Sequence, residues 1–284
     1  MVKLIYGLAK FSNRNYGFGS RPVKFSRKYF LSYISKYFKI FECSDRYKDS
    51  IKYISLTKKK NIHFKIDKIP FYKSEKEILN FFLKKINFYK HINKLKTINV
   101  LYLHENNLKI IKNIKVLKTL IFLKKNKLVK NFGASIYSER ELQYVLKKKI
   151  FAYIQLPINI ADSYYFFKYQ KEIKNKIIVA RSLVLQGTLL TSKINIKYKN
   201  QIRKFVNYLD LICHDNKISR EELIYRYIFS LKKLNYAMIG SINQKNIKKI
   251  IKYKEKKKLN KNLMKELIKV SSLKKNWTNP QKWN

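Results

Sequence analysis

The strongest constraint on what this chain can fold into is an alternation that runs from one end to the other. Short apolar runs rich in isoleucine, valine, leucine and tyrosine recur along it, separated by lysine-rich segments whose apolar residues fall at helical spacing. Eight runs read as strands, over 3–6, 40–43, 62–66, 98–103, 129–134, 151–154, 177–180 and 236–239. Helices are predicted between them at about 24–38, 74–91, 108–125, 138–148, 162–173 and 219–233. Strands joined through helices run parallel, because a parallel pair needs a crossover connection. Polar residues follow the runs at 129–132, 151–154 and 177–180, in GASIYS, QLPINIAD and RSLVLQGTLL. Chemistry at strand exits suits a parallel barrel or an open α/β sheet. Eight units in 284 residues favour the barrel, which typically takes roughly 250. The expectation is an α/β chain folded as one (β/α)8 domain over 1–284, with C-terminal helices and a tail packed on it.

Helix starts carry their own signals. Ser74 precedes Glu77, Ser138 precedes Glu141 and Ser219 precedes Glu222 by the three residues of a capping box. The stretch 191–216 is longer than a simple crossover and predicts a loop plus an extra helix over one barrel end. Two more helices, 244–254 and 261–270, follow the eighth strand, and Trp277 and Trp283 around Pro280 are expected to pack the tail.

Net charge is the feature most easily misread. At +48 it invites a nucleic-acid or membrane-surface function, yet only nine of the 65 basic residues are arginine, whose guanidinium fork favours specific phosphate and base contacts. Lysine, isoleucine, asparagine, tyrosine and phenylalanine are enriched together, as an AT-rich coding sequence would produce, and the charge follows every helix instead of one face. Salt-sensitive binding to polyanions follows, but no specific nucleic-acid partner. At 46% hydrophobic residues, with 22 tyrosines and 18 phenylalanines, the chain is too apolar for disorder. Cys43 and Cys213 form no CxxC pair, no spacing suggests a metal, and no run of about 18 apolar residues occurs. These features predict a cytoplasmic protein with no membrane association.

In a β/α barrel, residues at the strand exits converge on one mouth. That mouth would gather Gly7, Glu42, Tyr47, Lys65, His104, Ser135, Gln155, Arg181 and Ser241. A tyrosine beside an ammonium can serve as an acid, since the cation stabilises phenolate and lowers its pKa. With a neutral histidine nearby the set suits carbonyl reduction, in which an oxygen becomes alkoxide as hydride reaches the carbon. Considered singly, His63, His91 and His214 read as structural or solvent-facing, and Asp45 with Arg46 as a loop ion pair.

The motifs resemble the aldo/keto reductase family over nearly the full length. YGLAKFSNRNYG is similar to the family's GTAxFG…YG, FECSDRYKDS to FDTAxxYGxSE, and HFKI and LYLHENN to its lysine and histidine strands. NFGASIYSERELQYVL, YIQLPINIAD and ARSLVLQGTLL resemble a bacterial branch with GVSxYSxxEL, QLPxN and RSxFLQGLL, and MIGSINQKNIKKII looks like the cofactor-adenosine end. The resemblance implies Tyr47 as proton donor, Lys65 as its pKa partner, His104 orienting the carbonyl, and Glu42 where the family has aspartate. Lys48 stands for the glycine after the tyrosine, and Ile51 for the glutamate of YGxSE. It implies a reduced nicotinamide cofactor, ordinarily NADPH with NADH as the alternative. Ser135 and Gln155 would hold the carboxamide, Arg181, Ser182, Gln186 and Gly187 would lie near the pyrophosphate, and Ser241 and Asn246 at the adenosine end, where the family's 2′-phosphate arginine aligns with Asn246. The substrate class implied is a small carbonyl compound, sugar-like by analogy with the branch. The alternative left open is a barrel of this fold that has lost catalysis and acts as a binding or regulatory protein.

Overall fold

The computed structural model describes residues 1–13, 16–18, 26–47, 49–57, 61–104, 107–191 and 196–283. Eight strands, β1 (Lys3–Gly7), β2 (Ile40–Ser44), β3 (Ile62–Ile66), β4 (Ile98–Leu103), β5 (Val129–Ser135), β6 (Phe151–Pro157), β7 (Ile177–Arg181) and β8 (Tyr236–Ile239), close into a barrel. Each pairs in parallel with the next, and β8 pairs with β1. The (β/α)8 barrel expected from the alternation is the observed fold.

The helices depart from expectation where side chains intervene. The predicted helix at 108–125 is two, Leu108–Ile111 and Ile114–Lys125, because Asn113 turns its amide oxygen onto the N–H groups of Lys115 and Val116 and starts a new helix. The one at 162–173 is a short helix, Tyr164–Lys168, then a 3₁₀ turn, Glu172–Asn175. The first runs over Arg27–Ile34, the expected start at Lys24 lying outside the described residues. Ser74 with Glu77 and Ser138 with Glu141 form full capping boxes. Ser219 caps its helix, but Glu222 does not reach back, since its carboxylate pairs with Arg226 at 2.9 Å and Lys256 at 2.8 Å. The long connection after β7 does hold an extra helix, Lys199–Asp215, and residues 192–195 of it lie outside the described set. Trp283 is buried against Phe18, with its indole N–H on the Trp277 carbonyl at 2.8 Å.

Period-two alternation explains how the barrel carries a site. Residues i and i+2 of a strand share a face, so Ile40, Glu42 and Ser44 point inward while Phe41 and Cys43 pack outward among the helices. The inner face is apolar at the bottom, with Ile5, Ile40, Val100 and Val179, and aromatic above, with His63, Tyr102 and Tyr153. At the top it is polar, with Glu42, Lys65, His104 and Arg181. Gly133 is required in the middle layer. A Cβ there would lie 2.4 Å from the Tyr102 ring, so the missing side chain is what lets that ring cross the barrel.

Candidate active site

A cleft of about 560 Å³ opens at the C-terminal ends of the strands, within the range of small-molecule sites. On its floor Lys65 Nζ lies 2.9 Å from Glu42 Oε2 and donates to Tyr47 Oη at 3.3 Å. Glu42 and Lys65 are 1% and 3% exposed, so this is an ion pair withdrawn from water. Register brings it about: Ser44 lies opposite Lys65, which sets Glu42 and Lys65 on the inner face of adjacent strands. Tyr47 follows β2 in a turn closed by its own N–H on the Ser44 carbonyl at 3.0 Å. The His104 ring stands edge-on to the Tyr47 ring, with centroids 5.7 Å apart.

Electrostatics on this floor favour neutral forms. Burial, then Lys65, Arg46 and Arg181, push His104 down to about 2, so it is a neutral imidazole. Burial raises the Glu42 carboxyl against the opposing pull of Lys65, and Glu42 Oε1 has no hydrogen-bond partner among the described residues. Tyr47 corrects the expectation from the sequence. Its pKa is raised, not lowered, because burial dominates and the Glu42 carboxylate adds to it, while Arg181 opposes. Lys65 stands closer to that carboxylate than to the phenol, which leaves a protonated, half-buried tyrosine.

The cleft wall collects most of the residues predicted for a cofactor. Ser135, Arg181, Ser182, Gln186, Gly187, Ser241 and Asn246 all line it. Gln155 does not. β6 continues to Pro157, so Gln155 sits two residues below the strand exit, fully buried beside Ser135, with neither amide atom meeting hydrogen-bond geometry. Arg181 donates to the Ile136 carbonyl at 2.9 Å and lies 3.7 Å from the Tyr137 ring centre, an arginine fixed on the wall by a carbonyl and an aromatic face. Across the cleft two backbones touch. Phe18 N–H donates to the Gln186 carbonyl at 2.6 Å, and a Cβ on Gly187 (φ +98°) would lie 2.3 Å from the Phe18 oxygen. Ser182, Leu185 and Gln186 also hold left-handed backbone in this turn, an arrangement that clusters at functional sites.

Residues 42–272 match the model of the aldo/keto reductase family. The chain belongs to that family. No curated protein sequence matches it. Among solved structures, an aldo-keto reductase from Bacillus halodurans in its apo form superposes with a TM-score of 0.70 at 14% identity, covering 93% of this chain and 94% of that one. A thermostable aldo-keto reductase solved with the inhibitor epalrestat gives 0.68 at 17% identity over 94% of both chains. The aldose reductase of Schistosoma japonicum gives 0.64 at 15%, covering 96% of this chain and 89% of that one. At these identities the likeness is one of fold.

As an aldo/keto reductase the chain brings Tyr47, Lys65, His104 and Glu42 together on one floor. The wall also fits a nicotinamide dinucleotide in chemistry, with an anchored guanidinium and hydroxyls from Ser135, Ser182 and Ser241. Sequence reasoning missed Tyr16, Tyr137, Arg220 and Glu221, which line the same cleft. Tyr137 stood in the GASIYS motif beside Ser135, and Arg220 and Glu221 were read only as part of the capping sequence after Ser219. The Asp45–Arg46 pair is not formed as expected: Arg46 grips Asp67 through two bonds of 2.7 and 3.0 Å, and Asp45 takes Lys85 and the Tyr89 hydroxyl.

Proposed function

We propose that this aldo/keto reductase reduces a small aldehyde or ketone to the alcohol, using NADPH ordinarily, with NADH as the alternative, and without a metal. The observation that carries the reading is the chain of contacts from Glu42 through Lys65 to the Tyr47 hydroxyl, 2.9 and 3.3 Å, beside a neutral His104 at the floor of the cleft. The nicotinamide supplies the hydride that reaches the carbonyl carbon. Tyr47 gives its proton to the carbonyl oxygen as that oxygen gains charge, and His104 hydrogen-bonds the same oxygen. Lys65 stabilises the phenolate left on Tyr47, and Glu42 holds the Lys65 ammonium in place. Ser135, Arg181, Ser182, Gln186, Gly187, Ser241 and Asn246 bind the dinucleotide, and Gln155 lies beside Ser135 beneath the wall. A sugar-like carbonyl is the substrate class we favour, and the free, buried Cys43 and Cys213 suit a reducing cytoplasm.

One observation favours a second reading, a barrel that binds the nucleotide without turnover: burial and Glu42 raise the Tyr47 phenol, which makes it a weaker acid. A single experiment separates the two. Intrinsic fluorescence is titrated with NADPH and NADH, and then absorbance at the reduced-nicotinamide band is followed with a panel of small aldehydes. Tight binding and turnover in the wild type, with turnover reduced at least about a hundredfold in Tyr47→Phe and binding unchanged, is the expected result. Binding with no turnover on any aldehyde supports the second reading, and absence of nucleotide binding defeats both.

A further inference from the structure

Ser44 is the residue whose role neither the motif nor the proposed chemistry absorbs. It ends β2, is fully buried, and stands where the motif FDTAxxYG places alanine. Its Oγ lies 2.9 Å from His104 Nδ1 and accepts the Arg46 backbone N–H at 3.2 Å. Its own backbone is clamped from below, since Ser50 Oγ accepts the Ser44 N–H at 3.3 Å and donates to the Ser44 carbonyl at 3.0 Å. The hydroxyl is therefore held at one place, not free to swing.

Where the hydroxyl proton goes then decides the state of the histidine. A serine oxygen has one proton to give and two lone pairs to receive. Here a lone pair takes the Arg46 N–H, no water reaches a 0% exposed side chain, and the one acceptor within reach among the described residues is His104 Nδ1. Were the imidazole instead to donate from Nδ1, the serine proton would be buried without a partner, at a cost comparable to a lost hydrogen bond. Burial and the cations Lys65, Arg46 and Arg181 keep the ring neutral, so its single proton must sit on one nitrogen or the other.

We propose that Ser44 is a positioning residue that donates to His104 Nδ1 and thereby fixes the imidazole proton on Nε2, making His104 a hydrogen-bond donor to the oxygen of the carbonyl substrate. The consequence for turnover rests on the reductase reading, whereas the tautomer does not. The alternative tautomer would meet that oxygen with a lone pair and repel the charge developing there.

The test uses the full chain labelled with ¹⁵N-histidine, with the ring nitrogens of His104 assigned by comparison with His104→Phe. In the wild type, Nε2 is expected to be protonated and Nδ1 bare across pH 5 to 8. Ser44→Ala is expected to mix the two tautomers and to lower kcat by about tenfold, the scale of one hydrogen bond, with nucleotide affinity unchanged. Ser44→Thr, which keeps the hydroxyl, is expected to restore both. A wild-type proton on Nδ1 overturns the proposal, as does an alanine variant that keeps both the Nε2 proton and the full kcat. If the alanine variant does not fold, the wild-type spectrum alone decides. Absence of carbonyl turnover in the wild type defeats the reductase reading and leaves the tautomer result standing.

Discussion

Lys65 shows how one residue ties stability to chemistry. An ammonium buried to 3% exposure tolerates its surroundings chiefly because Glu42 lies 2.9 Å away, and removing one member of such a pair strands the other charge in a medium that solvates it poorly. Lys65→Met is accordingly expected to destabilise the fold by about 3–5 kcal/mol as read by urea denaturation. The double replacement Glu42→Leu with Lys65→Met, which removes both charges and fills the space, is expected to recover most of that loss while leaving no turnover. Equal destabilisation in the single and double variants would mean that packing and not charge is what Lys65 supplies. Among the described residues one oxygen of the Glu42 carboxylate has no hydrogen-bond partner, at the position where the family motif has the shorter acid.

At the scale of elements, the turn after β7 and the loop carrying Tyr16 to Phe18 act as a pair, locked where Gly17 and Gly187 cross. Both glycines have positive φ, +72° and +98°, and at both an added Cβ would strike backbone, 2.6 Å from the Gln186 oxygen and 2.3 Å from the Phe18 oxygen. Gly187→Ala is expected to cost about 1–3 kcal/mol in a urea melt and to weaken NADPH binding in a fluorescence titration. Gly240→Ala, whose Cβ would meet nothing closer than the Gly7 oxygen at 3.8 Å, is expected to leave the melt nearly unchanged. Loss of stability at Gly240 as large as at Gly187 would refute the close-approach argument. This crossing was not legible in the sequence, because contact between residues 17 and 187 depends on closure of the barrel and carries no periodicity. The strands were legible for the opposite reason: they are short runs dominated by apolar residues, and β3, β4 and β8 have the bounds those runs predict. Residues at strand exits were found through those bounds, and Gln155 was placed too high on the wall because β6 runs three residues past its apolar run, to Pro157. Tyr47 is legible by motif as a candidate, but the direction of its pKa shift is not, since a sequence shows the nearby lysine and not how the fold shields the phenol from water.

For the whole molecule, the barrel interior sets the response to acid. His63 lies 1% exposed among Tyr102, Tyr153 and Tyr236, and burial pushes it down to about 3. In the unfolded chain the same imidazole titrates near 6.5. Below that pH the unfolded state binds a proton that the native state refuses, so stability falls as pH drops from about 6.5 toward 3 and is fully present only above 6.5. Each such group contributes a slope of about 1.4 kcal/mol per pH unit within the window. His104, pushed down to about 2, acts with the same sign, while Glu42, whose carboxyl is raised by burial, acts with the opposite sign above the ordinary carboxylate value. The net charge of +48 also grows as histidines protonate, and self-repulsion adds to the loss. Salt separates the two causes, because mobile ions screen surface lysines over a Debye length of about 8 Å at physiological strength but do not enter the barrel. Urea melts of the wild type at pH 7, 6 and 5 should lose stability progressively at both low and high salt. His63→Leu should start less stable at pH 7, having stripped the Tyr102 hydroxyl of its partner at 3.3 Å, yet show a slope shallower by about 1.4 kcal/mol per unit. Identical slopes in the two proteins would place the acid sensitivity in the surface charge instead, and high salt would then abolish it.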